Sequence, residues 1–237
     1  AFDGNATFTG TLGNAVVTVA DSVTMTAAYS KLNGKTINHD GSESGQAVVV
    51  SIASADASAN LALITSNITN FTANFTQTQT FTGNLNSKTA AVANGVTLTA
   101  AAADLTGDTV TAGGSGNIAI TALHSTPSAN LSGLSSSSGT VTAAFDGNAT
   151  FTGTLGNAVV TVADSVTMTA AANKVASKTV NKSSSGVLAV QIGSADASVD
   201  LTTINGTAFS TVTVTEDVTF TGTLDDTLST SVNNGVT

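Results

Sequence analysis

The side chains able to move a proton or hold a metal ion are few: His39, His124, 13 Asp and two Glu. The histidines lie in turn-like settings, Asn38-His39-Asp40 and Leu123-His124-Ser125. A metal or catalytic centre needs partners that converge. Neither histidine recurs in the related copy of its segment: Lys182 stands where a second His39 would be. Both are expected on surface loops. Six aspartates do recur in pairs, Asp3 with Asp146, Asp21 with Asp164 and Asp56 with Asp196. They are the candidates for calcium, which takes six to eight oxygens from carboxylates and loop carbonyls. The Gly-Gly-x-Gly-x-Asp calcium repeat is missing: Gly113-Gly114-Ser115-Gly116 approaches it, but Ile118 stands where the Asp belongs. The favoured reading of these aspartates is therefore the turn residue bonding nearby backbone amides. The chain has no Gly-x-Ser-x-Gly, no phosphate loop followed by Lys and no His-Glu-x-x-His. It is read as a non-enzyme without a cofactor, calcium being the one candidate ligand.

Three other patterns invite a binding role. The Thr-x-Thr pairs Thr24/Thr26, Thr97/Thr99, Thr167/Thr169 and Thr213/Thr215 would point outward if the intervening residues point in. An ice-binding face needs such ranks unbroken, and Val49/Ser51 and Gln191/Gly193 interrupt them. Thr is in any case a preferred strand residue. Asn-x-Ser/Thr occurs at Asn5, Asn67, Asn70, Asn74, Asn130, Asn148, Asn181 and Asn205, about as often as so many Ser and Thr give by chance. Tyr29 is the only aromatic that reads as exposed enough to stack on a sugar.

Composition narrows the classes further. Hydrophobic residues make up 41% of 237, enough for a core, but charged residues only 9%, against roughly 25% in ordinary domains. A surface of Thr, Ser, Asn and Gly suits an extracellular location. There is no Cys and no Arg, so disulfides and thiolate metal sites are excluded. A net charge of −9 with six scattered Lys supplies no basic stripe for nucleic acid. No apolar run approaches the roughly 18 residues that a membrane helix needs.

The elements that must position these side chains are set by repetition. Residues 1–28 recur unchanged as 144–171. Within that duplication, Phe-Thr-Gly-x-Leu begins at Phe8, Phe81, Phe151 and Phe220. These starts divide one continuous array over 1–237 into units of about 70 residues. Strand-like beginnings follow at Val23, Val48, Phe71, Val96, Ile118, Val141, Val166, Val190, Val212 and Val236. Their spacing, about 22–25 residues, is a second and finer period. Another lane runs through Ile37, Leu61, Phe81, Val110, Leu131, Phe151, Val180, Leu201 and Leu224. Apolar-polar alternation rich in Val and Thr predicts strands. Gly113-Gly114-Ser115-Gly116-Asn117 and Asn233-Asn234-Gly235 predict turns between them. The alanine run Ala100 to Ala103 is too short for an independent helix. The expected fold is all-β, a parallel β-solenoid with coils of about 22–25 residues, three to a repeat. Tandem immunoglobulin-like sandwiches are the alternative, although a unit of about 70 residues is short for that fold.

The Phe-Thr-Gly-Thr-Leu and Val-Thr-Leu-Thr-Ala-Ala-Ala motifs, the composition and the nested repeats resemble tandem-repeat bacterial giant surface proteins: adhesins, S-layer-like proteins and filament-forming β-strand-repeat proteins. The resemblance implies secretion, display at the cell surface, and a structural or adhesive role. The expected function is a structural segment that assembles with copies of itself into a fibre, layer or stalk. The alternative is an adhesin rod or spacer that binds glycans or host surfaces.

Overall fold

A computed structural model describes residues 1–41, 45–207, 209–224 and 229–236. Two compact units are present: Ala1–Ala100 with Asp108–Ile118 and Ser135–Gly139, and Ala101–Gly107 with Ala119–Leu134 and Thr140–Thr237. In the first, a seven-stranded sheet is built in chain order from Ala6–Phe8, Thr24–Ala28, Ala47–Ile52, Phe71–Phe75, Thr89–Val92, Val110–Ala112 and Leu134–Ser136. Val17–Val19, Thr36–His39 and Thr65–Ser66 form a second sheet, and Gln79–Phe81 pairs with Thr97–Ala101 outside both. In the second unit a five-stranded sheet runs Ala149–Phe151, Thr167–Ala171, Val187–Ile192, Phe209–Val214 and Ser229–Val232. Beside it, Val141–Phe145 pairs with Val159–Val162, which pairs with Val180–Lys182. These pairings are all parallel. The chain is all-β in character, with several parallel sheets.

Alternation decides which side chains are inside. In Ala47–Ile52, Val48, Val50 and Ile52 are fully buried while Ala47, Val49 and Ser51 are half-exposed. Met25 and Ala27, and Phe71, Ala73 and Phe75, repeat that pattern on neighbouring strands. Phe75 and Phe81 close the core of the first unit edge to face, with ring centroids 5.2 Å apart. Nine of the ten expected strand starts, Val23 through Val212, lie in a strand or one residue before it. Val236 is in no strand, and Thr237, the next residue of that copy, lies outside the described residues. The second lane is mixed. Ile37, Phe81, Val110, Phe151 and Val180 fall in strands, whereas Leu61 and Leu201 open 3-10 turns. Leu131 and Leu224 adjoin single bridges, Asn130 to Thr154 and Asp200 to Thr223.

The pairing register corrects the expectation of a uniform coil. Thr24 pairs with Ala47, and Val48 with Phe71, both at the expected spacing. Beyond that the partner changes. Thr72 pairs with Thr89, and Ala90 with Val110, both closer in the chain than the interval allows. Val96, which the interval would place next on the same sheet, instead precedes Thr97–Ala101, the partner of Gln79–Phe81. The pairing step is therefore uneven within repeats as well as across their boundaries, and successive Phe-Thr-Gly-x-Leu strands open different sheets. Ala6–Phe8 opens the seven-stranded sheet, Gln79–Phe81 the one that receives Thr97–Ala101, and Ala149–Phe151 the five-stranded one.

Two local features follow from residue size. Single α-helical turns, Tyr29–Leu32, Ala102–Leu105 and Ala172–Val175, leave the ends of equivalent strands at Ala28, Ala101 and Ala171. Each is far too short to persist alone and is held by burying its first and last residues, such as Ala102 and Leu105. The glycine of Phe-Thr-Gly-x-Leu permits close backbone approach. A Cβ at Gly83, Gly153 or Gly222 would overlap the carbonyl oxygen of Ala59, Ala129 or Val199. Those carbonyls accept from the next amide, Asn84, Thr154 and Thr223 respectively.

Candidate functional site

The recurring polar residues do have a common geometry, and it is one of layer-to-layer bonding. Asn5 Oδ1 accepts from the Thr24 amide at 2.7 Å, and Asn148 Oδ1 from the Thr167 amide at 2.7 Å. Thr78 Oγ1 accepts from the Thr97 amide at 3.1 Å in the same place of the middle repeat. At a second corner, Asp164 Oδ1 accepts from the Ser185 amide at 3.0 Å and its hydroxyl at 2.5 Å. Asn94 Oδ1 does the same for Ser115, at 2.8 and 3.1 Å. At a third, Gln77 Oε1 receives the Ser54 amide and hydroxyl, and Glu216 Oε2 the Ser194 amide. In each of these two corners an amide and a carboxylate serve interchangeably, so the position requires an acceptor and not a charge. The partners stand one strand-pairing step apart in the chain.

This geometry accounts for the aspartates proposed for calcium. Asp3 and Asp21 are exposed, and Asp21 accepts from the Gln46 side chain at 2.5 Å. Asp56 is half-buried in the 3-10 turn Ser54–Asp56. Its counterpart Asp196 is buried, its two oxygens taking the amide protons of Asn173 at 2.8 Å and Gly193 at 3.1 Å. The Ser185 hydroxyl and amide hold the Asp164 carboxyl below the usual carboxylate range. The Ser194 amide and hydroxyl do so for Glu216. Asp108 is pushed the other way by burial, against an opposing bond from the Ser87 amide. Among the described residues, no three His, Asp or Glu side chains come together in a way that could hold a metal ion. The aspartates do not fit a calcium cage.

One arrangement was invisible to motif reading. Asp146 Oδ1 lies 2.6 Å from His124 Nδ1, and His124 Nε2 lies 3.0 Å from the Ser125 hydroxyl. Nucleophile, base and orienting carboxylate thus stand in the order of a serine hydrolase triad. The rest of such a site is not assembled here. The Ser125 and Thr126 amides, the nearest donors in sequence for an oxyanion, are spent on the Ala122 and Leu123 carbonyls. The His124 and Asp146 side chains remain 32% and 49% exposed, so water is not excluded from the charges. The signal that could have found this cluster is the spacing of His124 and Asp146 in the chain, which equals one pairing step. His39, by contrast, ends the strand Thr36–His39, where its amide donates to Asn67 Oδ1. It is thus no surface-loop residue, and among the described residues its buried Nδ1 has no partner.

The remaining candidates are placed as follows. Tyr29 is buried, not exposed: its hydroxyl accepts from the Asn60 amide at 3.0 Å and donates to the Asn60 carbonyl. It presents no face for a sugar. The threonines of Thr24/Thr26, Thr97/Thr99 and Thr167/Thr169 flank buried Met25, Leu98 and Met168, as alternation requires. The first and second pairs stand on different sheets of their unit, so they make no common rank. Among the sequons, Asn5, Asn67, Asn130 and Asn148 use Oδ1 as an acceptor for backbone amides. Asn205 instead donates through Nδ2 to the Thr203 carbonyl. No described helix is long and apolar enough to cross a membrane.

These features define a parallel β-repeat chain whose recurrent polar groups bond successive strands. Comparison with protein-family models, with curated proteins and with solved structures gives no match.

Proposed function

We propose that this chain is a load-transmitting structural segment of an extracellular bacterial surface assembly, wound as a β-solenoid and joined to copies of itself in a fibre, layer or stalk. The observation that carries this reading is the use to which recurring polar residues are put. Asn5, Asn148, Thr78, Asp164, Asn94, Gln77 and Glu216 each bond a backbone amide one pairing step away. Duplication has copied a stitching pattern. Each repeat runs through three parallel layers and part of a fourth, which is why its opening motif restarts on another sheet. A layer that contacts only its neighbours can be multiplied without redesign, and the identical blocks 1–28 and 144–171 are what such growth leaves behind. Sheet edges that end in unpaired amides and carbonyls favour further strand addition.

Electron microscopy of the purified chain over a range of concentrations tests the proposal. Filaments or ordered lateral arrays that grow with concentration are expected. Particles of one short length at every concentration would overturn self-assembly. The glycan-binding alternative has lost its aromatic platform, since Tyr29 is buried.

A further inference from the structure

Two hollows are built alike, one in each compact unit. The first, about 180 Å³, forms where the turn Gly13-Asn14 passes Lys35. The second, about 170 Å³, forms where Gly156-Asn157 passes Lys178. In each, the lysine Nζ donates to the glycine carbonyl opposite, at 2.5 Å for Lys35 to Gly13 and 2.7 Å for Lys178 to Gly156. An ammonium has three donors, so that bond leaves two. Among the described residues no carboxylate lines either hollow, and the rest of the lining is backbone, Asn, Thr, Ser and small aliphatic side chains. A third hollow shows the contrast: Lys174 shares a space of about 310 Å³ with Asp196 and Glu216.

The corner keeps its shape and its cation while its other residues change. Lys35 and Lys178 lie beyond the identical blocks 1–28 and 144–171, and around them Asn33 is replaced by Ala176, Gly34 by Ser177 and Ile37 by Val180. Ser177 nevertheless adopts φ 59°, close to the 71° of Gly34, a left-handed conformation that is uncommon for any residue but glycine. A latch onto a carbonyl needs a donor, not a charge. In the middle repeat the equivalent position, three residues past the turn Ala102–Leu105, is Asp108, so the cation belongs to the first and third repeats only.

We propose that the two hollows are sites for one oxyanion group each, a carboxylate or a sulfate, held by the two remaining donors of Lys35 or Lys178. Their volume equals that of about six waters at roughly 30 Å³ each, enough for one acidic sugar unit or one acidic side chain. The absence of aromatic lining selects for polarity over apolar bulk. This inference stands on the hollows alone and does not depend on the assembly proposed above.

Lysine acetylation footprinting of the full chain tests it, at constant ionic strength with sodium chloride as the reference salt. The probes are sodium sulfate and sodium glucuronate. At saturating probe, acetylation of Lys35 and Lys178 should slow at least threefold, while Lys31, Lys88, Lys174 and Lys182 stay unchanged. Protection by both probes assigns the site to free and sugar-borne oxyanions alike, and protection by glucuronate alone to an acidic sugar. Protection that rises with protein concentration, without probe, assigns it to a carboxylate of a second copy. A Lys35→Gln, Lys178→Gln variant keeps a donor for each carbonyl and removes the charge. It should melt like the parent and lose probe binding by nuclear magnetic resonance titration at least tenfold. Equal slowing at all six lysines, no slowing at any, or unchanged binding by the variant would overturn the proposal.

Discussion

Residues 1–28 and 144–171 have the same sequence and different surroundings, so they separate what the segment does by itself from what its neighbours impose. Shared features are local. Strands run Ala6–Phe8 and Thr24–Ala28 in one copy, Ala149–Phe151 and Thr167–Ala171 in the other, with equivalent registers. Ser22 and Ser165 have φ 60° and 59°, and Gly13 and Gly156 56° and 58°. The differing features are those of burial. Phe151 and Leu155 are buried, whereas Phe8 and Leu12 are half-exposed. Val16 is 61% exposed, and its counterpart Val159 is half-buried. In the second copy, the Thr152 and Thr154 amides bond the Pro127 and Ala129 carbonyls; among the described residues, the Thr9 and Thr11 amides make no such bond. Backbone geometry is written into the copied block itself, and the core is completed by the adjacent layer.

Aromatic truncation should open the widest gap between the copies. Phe151→Ala removes a side chain that is 1% exposed and should cost about 3–5 kcal/mol, the usual range for a buried Phe. Phe8→Ala, at a half-exposed site resting edge to face on Phe2 at 5.9 Å, should cost about 1–2 kcal/mol because less area is lost from the core. Layered arrays unfold in parts, so native-state hydrogen exchange at neighbouring amides is the proper readout beside urea denaturation. Equal costs would show that the copies are equally covered in solution.

Glycine substitution sharpens the same contrast. Gly153→Ala drives a methyl group into the Ala129 carbonyl and should destabilise by about 1–3 kcal/mol through forced backbone shift. At Gly10 the close neighbour among the described residues is the Phe8 ring, 3.2 Å from the added carbon, which a half-exposed side chain can vacate. Gly10→Ala should change stability by less than about 0.5 kcal/mol. Thermal melts of both variants decide the point.

Much of this architecture was legible in residue order. Alternation in Val48-Val49-Val50 and Met25-Thr26-Ala27 fixes strand position and facing, because the pleat has period two. Turn residues such as Gly114 and Gly235 mark corners through their positive φ. The change of sheet at each repeat was not legible. It depends on which strands pair, and Thr72 meeting Thr89 rather than Thr97 is set by the length of the intervening corner, not by the type of either residue. The roles of the aspartates were half legible. A turn aspartate was expected to bond its own turn, whereas Asp164 bonds Ser185, a full pairing step away. The Ser125–His124–Asp146 chain needs that same step length before its members can be seen as neighbours.

Removing the amide caps should narrow the gap between copies almost to nothing. Asn5 and Asn148 make the same 2.7 Å bond in both environments. Asn5→Ala and Asn148→Ala should each cost about 1 kcal/mol, the net worth of one such bond. Calorimetry on the two single variants measures it. A cost at Asn148 well above that at Asn5 would mean that the bond draws on the neighbouring layer.

The smallest effect separates two carboxyls by sign. For Asp164 the Ser185 bonds put the folded-state value below its ordinary 3.8. As pH falls, the unfolded chain then takes up its proton first. The stability from this group is complete above the unfolded value and is lost as pH falls through the folded one. For Asp108, burial raises the folded-state value, so the folded chain takes up its proton first and gains stability as pH falls through that value. Asp164→Asn keeps the acceptor and abolishes the titration, so melting temperature should fall less steeply with pH below about 4. Asp108→Asn should do the reverse, removing a gain on acidification and steepening the net fall. Melting curves from about pH 3 to about pH 7 span both titrations and compare the variants with the parent chain. Shifts of the same sign in both would mean that the two corners are solvated alike, which the half-burial of Asp108 beside a fully exposed Asp164 contradicts.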